Sequence, residues 1–160
     1  MHRNHQEWDE DAEDDSEDEM EQQISEREAI ELIIQKYPSM NGVTTNMVKR
    51  EIYNTLNELG LFRAQIRLYM EKTQNYRIVD NSIDIRPGSF IRWISLNDMN
   101  VKLQSGSIIH NIIEYENDVQ IVHRNIKGSK MFTLFLSENI IFQKLNDEEE
   151  IVLYAMDNGL

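Results

Sequence analysis

The feature that most limits what this chain can fold into is a change of hydrophobic period near Tyr76. Before it, apolar residues recur at the spacing of one helix face. They run Ile30, Ile33 and Ile34, then Val48, Ile52, Leu56 and Leu59, then Phe62, Ile66, Tyr69 and Met70. After it, β-branched and aromatic residues take over with a period near two, as a half-buried strand requires. The fold class expected is therefore α+β, with three short helices ahead of a β module. At 160 residues the chain holds one domain, or one domain with a small attached element.

Local punctuation sets the boundaries. Ser25-Glu26-Arg27-Glu28 reads as a capping box that opens a helix running to about Tyr37, where Pro38 stops it. Thr44 or Thr45 caps a second helix, Gly60 closes it, and a third spans about 62–73. Arg86-Pro87-Gly88 turns into a strand over 89–96. Further strands are expected over 107–116, 119–124, 130–136 and 140–145, with a tight turn at Asn117-Asp118. Asn146 and Glu149 form a second capping box and open a short final helix. Five antiparallel strands this short must bend to bury their faces and edges, so a small SH3-like barrel is expected, with an OB-type barrel second and a plain helix-covered sheet third.

Charge divides the chain further. Residues 1–24 carry −10, residues 25–76 carry +1 and residues 77–160 carry −4. Between Glu7 and Glu21 the one aromatic is Trp8, which is too little apolar surface to offset ordering, so 1–24 is expected to be a disordered polyanionic tail. Such a tail solvates the protein, or docks on a basic partner, or mimics nucleic acid. Ser16, followed by Glu17, Asp18 and Glu19, stands in a context that acidophilic kinases favour. The domains expected are thus the tail 1–24, a helical segment 25–76 and a β module with its closing helix 77–160.

The absence of cysteine removes disulfides, thiolate metal sites and thiol nucleophiles together. No stretch approaches the roughly 18 apolar residues of a membrane span, and the start lacks a signal-peptide core. A cytoplasmic, nuclear or virion-associated protein is expected. Plentiful Ile and Asn beside four Ala suggest AT-rich coding, as in a large DNA virus or an AT-rich protist.

Candidate chemistry is sparse. His110 and His123 would be diagonal neighbours on one hairpin face if the Asn117-Asp118 turn set the register, and His2 and His5 lie near the start. No phosphate-binding glycine loop, nucleophile elbow or metalloprotease motif is present, and no cofactor is implied. Binding is better supported. Phe90, Trp93 and Tyr115, with Phe132, Phe135 and Phe142, populate the expected barrel and offer either core packing or an aromatic groove or cage. Arg86, Arg92, Lys102, Arg124, Lys127 and Lys130 offer a basic face. The binding residues expected are Phe90, Trp93, Tyr115, Arg124, Lys127 and Lys130.

Residues 48–70, Val-Lys-Arg-Glu-Ile-Tyr-Asn-Thr-Leu-Asn-Glu-Leu-Gly-Leu-Phe-Arg-Ala-Gln-Ile-Arg-Leu-Tyr-Met, resemble the LisH-type helix pair of centrosomal FOP-related proteins. The matching positions are Thr55, Leu56, Gly60, Leu61, Phe62, Ile66 and Arg67. That resemblance implies a homodimeric interaction protein, with Leu56, Leu59, Phe62 and Ile66 at the dimer contact. The same helices also suit a helix-turn-helix in which Lys49, Arg50, Arg63 and Arg67 meet phosphate. A non-enzymatic adaptor is therefore expected, self-associating through its helices and holding a peptide or protein on the β module. The alternative is a nucleic-acid-associated factor with an acidic regulatory tail. A metal enzyme built on His110 and His123 ranks below both.

Overall fold

A computed structural model describes residues 11–160. The helical part comprises α1 (Asp11–Lys36), a 3-10 turn (Pro38–Met40), α2 (Thr45–Glu58) and α3 (Arg63–Lys72). Six strands follow: β1 (Tyr76–Val79), β2 (Phe90–Ser95), β3 (Leu103–Glu114), β4 (Val119–Asn125), β5 (Met131–Phe135) and β6 (Asn139–Lys144). A second 3-10 turn (Leu136–Glu138) precedes β6, and α4 (Asp147–Asp157) closes the chain's order of elements.

Capping accounts for most helix ends. Thr44 accepts from the Met47 N–H, and Gly60 takes the left-handed conformation at φ +71° just past α2. At α4 the capping box is complete: Glu149 N–H donates to Asn146 Oδ1 at 2.8 Å, and Asn146 N–H donates to Glu149 Oε1 at 3.3 Å. One start differs from expectation. The helix expected to begin at Ser25 begins at Asp11, so the capping-box sequence at Ser25 lies inside α1. Glu, Gln, Met and Ala are strong helix formers, and acidic residues suit the positive end of the helix dipole. The disorder expected of residues 11–24 is thus replaced by helix, while the same expectation for 1–10 lies outside the described residues.

The sheet is antiparallel with order β1-β6-β2-β3-β4-β5. The five-stranded barrel expected from the sequence is replaced by a six-stranded open sheet with β1 and β5 as its edges. The extra strand, β1, pairs with β6 from Tyr76 opposite Lys144 to Val79 opposite Ile141. Curvature comes from two irregularities that flank one stretch of β3, between Ile91 and Trp93 on β2 and between Ile109 and Asn111 on β3.

Two cores result. On one face Ile94 and Phe142 meet Met40, Val48, Ile52, Leu56, Ile66, Tyr69, Val152 and Leu153 from the helical elements. The other face buries Val79, Ile91, Ile109, Ile121 and Ile141 beneath Ile85 of the β1–β2 loop. That loop is tied down where the Gly88 N–H donates to Ile109 O at 2.8 Å. Leu56 and Ile66, expected at a dimer contact, are buried in the chain's own helical core; Leu59 packs against it, and Phe62 is 81% exposed. No described helix is long and apolar enough to cross a membrane.

Candidate functional site

Four charged side chains meet where α4 crosses the start of the sheet. Arg77 of β1 and Arg86 of the β1–β2 loop both pair with Glu149, and Arg77 Nη2 lies 3.5 Å from Asp84 Oδ1. Glu149 is wholly buried, and the side chains of Arg77 and Asp84 nearly so. The Arg86 contact is close but lacks hydrogen-bond alignment, so it acts through charge. Asp84 also accepts from Ser39 Oγ at 2.6 Å and Asn81 Nδ2 at 2.8 Å. Burial alone would raise its pKa, but the Ser39 and Asn81 hydrogen bonds and the Arg77 charge outweigh that and hold it below the usual carboxylate range. Gln143, also fully buried, donates to Asp84 O and accepts from the Arg86 N–H. Two cations and two anions cancel here with their polar atoms turned on one another, which makes this cluster a clamp between α4, β1 and the loop.

The histidines are separated. The β3–β4 hairpin pairs Glu114 with Val119 and Ile109 with His123, whereas a register set by the Asn117-Asp118 turn alone puts Glu116 opposite Val119 and His123 opposite Ile112. A longer loop, closed by Tyr115 N–H donating to Asp118 O at 2.8 Å, and the irregularity at 109–111 together shift the register. His110 is exposed, whereas His123 is buried on the inner face. There His123 Nδ1 lies 2.9 Å from Ser107 Oγ, and its ring sits 5.0 Å from that of Trp93 and 5.7 Å from that of Phe132. Burial lowers its pKa. Ser107 is buried too, so this pair braces β3 against β4. Among the described residues no group of three or more His, Asp or Glu is placed to hold a metal ion.

The sequence-predicted binding residues fall into three places. Register sets Phe90, Ile108, Arg124 and Met131 in one row across β2, β3, β4 and β5, on the same face as Ile94 and Phe142. Arg124 opposite Met131 is the last pair before the β4–β5 loop that carries Lys127 and Lys130, so these three cations share one hairpin tip. Trp93 lies on the opposite face beside His123, and Tyr115 is in the β3–β4 loop, donating to Gln120 Oε1 at 3.1 Å.

Two further residues belong to this end of the sheet. Lys144 Nζ lies 5.5 Å from the centre of the Phe90 ring, and Lys130 Nζ lies 5.3 Å from that of Phe132. The exposed rings are therefore capped by the chain's own cations. A cationic ligand such as methylated lysine would have to displace them, whereas an anionic one would be attracted. Arg86 and Arg92 leave the expected basic face: Arg86 enters the clamp, and Arg92 packs 5.7 Å over Tyr76.

Two grooves also mark the surface. One, of about 850 Å³, lies between α2, α3 and α4 and mixes Lys49 and Arg67 with Glu71, Glu150 and Asp157, which is no phosphate-binding surface. The other, of about 580 Å³, is lined by Asp80, Glu114, Glu116 and Asp118 and has no basic residue. No protein-family model, curated protein or solved structure matches this chain. Its function is read from these surfaces alone.

Proposed function

We propose that this chain is a non-enzymatic interaction module that holds an acidic segment of a protein partner against the β4–β5 hairpin. One observation carries the reading. In a chain of net charge −13, residues 119–137 contain Arg124, Lys127 and Lys130 and no acidic residue. On the face of Arg124 and Met131, Lys144 lies over exposed Phe90, and on the opposite face Lys130 lies over exposed Phe132, so each face offers apolar and cationic contact together. We also read β2–β6 as an SH3-like unit with β1 added at its edge. In support, β2 to β5 follow one another as a meander, and the 3-10 turn Leu136–Glu138 leads into β6, which returns beside β2.

A protein partner is favoured over nucleic acid because exposed Phe90, Met131 and Phe132 offer apolar contact to its side chains, while three cations are few for a phosphate polymer. The test is fluorescence anisotropy of the full chain with a labelled Glu- and Leu-rich 12-residue peptide, against a labelled single-stranded DNA of equal charge. The peptide is expected to bind more tightly than the DNA, and reversal of Arg124, Lys127 and Lys130 to Glu is expected to weaken it about tenfold or more. Absence of peptide binding, or binding unmoved by the reversal, overturns the reading. Tighter DNA binding turns it to the nucleic-acid factor.

A further inference from the structure

The occupant of the hairpin in the isolated protein is written in the same chain. α1 packs through Ile33 and Ile34 against the helical core, as does Tyr37 just past its end, and its neighbours are α4 and the Pro38–Met40 turn. Residues 16–23 and 25–29 are exposed. From Asp11 to Ile30 a helix extends about 29 Å at 1.5 Å per residue, so the N-terminal half of α1 is an arm directed away from its anchor. Glu17, Asp18, Glu19 and Glu21 lie on it, all exposed, with Met20 64% exposed among them. Glu17 and Glu21 stand at i and i+4, where like charges destabilise a helix. Short helices without tertiary packing are marginal in water, so an arm of this composition gains from cations laid along it.

Resting on the reading above, we infer that two copies of the chain associate reciprocally, the acidic arm of each lying on the Arg124, Lys127 and Lys130 hairpin of the other. The arm is exposed and α1 packs on α4 and the Pro38–Met40 turn instead of on its own sheet, so charge complementarity selects the second copy. Glu17, Asp18, Glu19 and Glu21 face the three hairpin cations, while Met20 meets exposed Met131, which lies on the face that carries Arg124. Reciprocity gives a closed two-fold pair, with each contact made twice. The arm then competes with an outside acidic partner for the same hairpin. An outside segment must displace it, and salt weakens both contacts.

Sedimentation velocity of the full chain over a dilution series, at 50 mM and 500 mM NaCl, tests this directly. A dimer is expected at low salt and a monomer at high salt. The variant with Arg124, Lys127 and Lys130 changed to Glu, and the variant with Glu17, Asp18, Glu19 and Glu21 changed to Lys, are each expected to be monomeric at both. Mixed at equal concentration, they restore both contacts and form a one-to-one pair. The arm-reversed variant, freed of its own competitor, is expected to bind the labelled Glu- and Leu-rich peptide several-fold more tightly than the parent chain. A parent chain monomeric at low salt, or a mixture that does not pair, overturns the inference; if the peptide still binds the parent chain, the hairpin reading survives that failure. If neither the parent nor the arm-reversed variant binds the peptide, both fall. Circular dichroism of each variant confirms that these exposed substitutions leave the fold intact.

Discussion

Replacing Glu149 by Gln removes one charge from the clamp while keeping its volume and its acceptor oxygen for the Asn146 N–H. The side chain is fully buried and faces two guanidinium groups, one 7% and the other 19% exposed. Arg77 keeps Asp84 at 3.5 Å, so Arg86 bears most of the loss. Removing one partner of a buried ion pair costs about 3–5 kcal/mol because the remaining charge is left uncompensated. With Asp84 retained, the lower end of that range applies, about 3 kcal/mol. Glu149→Ala also forfeits the capping box, worth about 1 kcal/mol, and leaves a cavity. Urea unfolding followed by circular dichroism and by tryptophan fluorescence measures both. At about 2 kcal/mol per molar urea, the midpoint falls by about 1.5 M for Gln and about 2 M or more for Ala. A shift below about 0.5 M for Glu149→Gln refutes the clamp as a stabilising unit.

Stability is expected to fall with acid through His123. Its folded pKa lies below the unfolded value near 6.5, so the unfolded chain takes up the proton first as pH drops. The loss therefore begins near pH 6.5 and deepens downward at up to about 1.4 kcal/mol per unit until the folded form titrates. His123→Phe should flatten urea midpoints between pH 7.5 and 5.5; an unchanged slope assigns the effect elsewhere. Leu56→Ala, in the helical core, is expected to cost about 2–5 kcal/mol by the same assay, while Phe62→Ala at an exposed site stays within about 0.5 kcal/mol. Equal costs would mean that α2 and α3 pack differently. Gly88 sits at φ +87° with open space around it, so Gly88→Ala should cost about 1–2 kcal/mol through backbone strain alone, and a neutral result would argue against this β1–β2 loop conformation.

What the sequence disclosed was local. Pro38, Thr44, Gly60 and the Asn146 to Glu149 box are read by their immediate neighbours, and the helix ends they set agree with the structure. The strands β2 to β6 were bounded by turn residues and were legible for the same reason. Strand β1 was not, because Tyr76–Val79 has four residues and no partner nearby in sequence. Its partner is β6, and the pair Arg77 and Glu149 is separated by 72 positions. The hairpin register failed through one loop and one irregularity, which moved His123 from Ile112 to Ile109. Of the candidate site, the cations of the β4–β5 loop were visible in the sequence. The seating of Lys144 over Phe90 depends on β6 lying beside β2, which only the folded topology supplies.

The place of β6 has a consequence for how the protein is made. β1 and β2 follow each other in sequence but are held apart by a strand synthesised some 50 residues after β2 begins. On the ribosome neither can complete its ladder until residues 139–144 have emerged, and both cores lack Ile141 or Phe142 until then. The helices, with contacts close in sequence, are free to form early, whereas the sheet waits. During that interval the isoleucine-rich strands stand uncovered. The nascent chain is then at its most exposed to aggregation and to capture by chaperones.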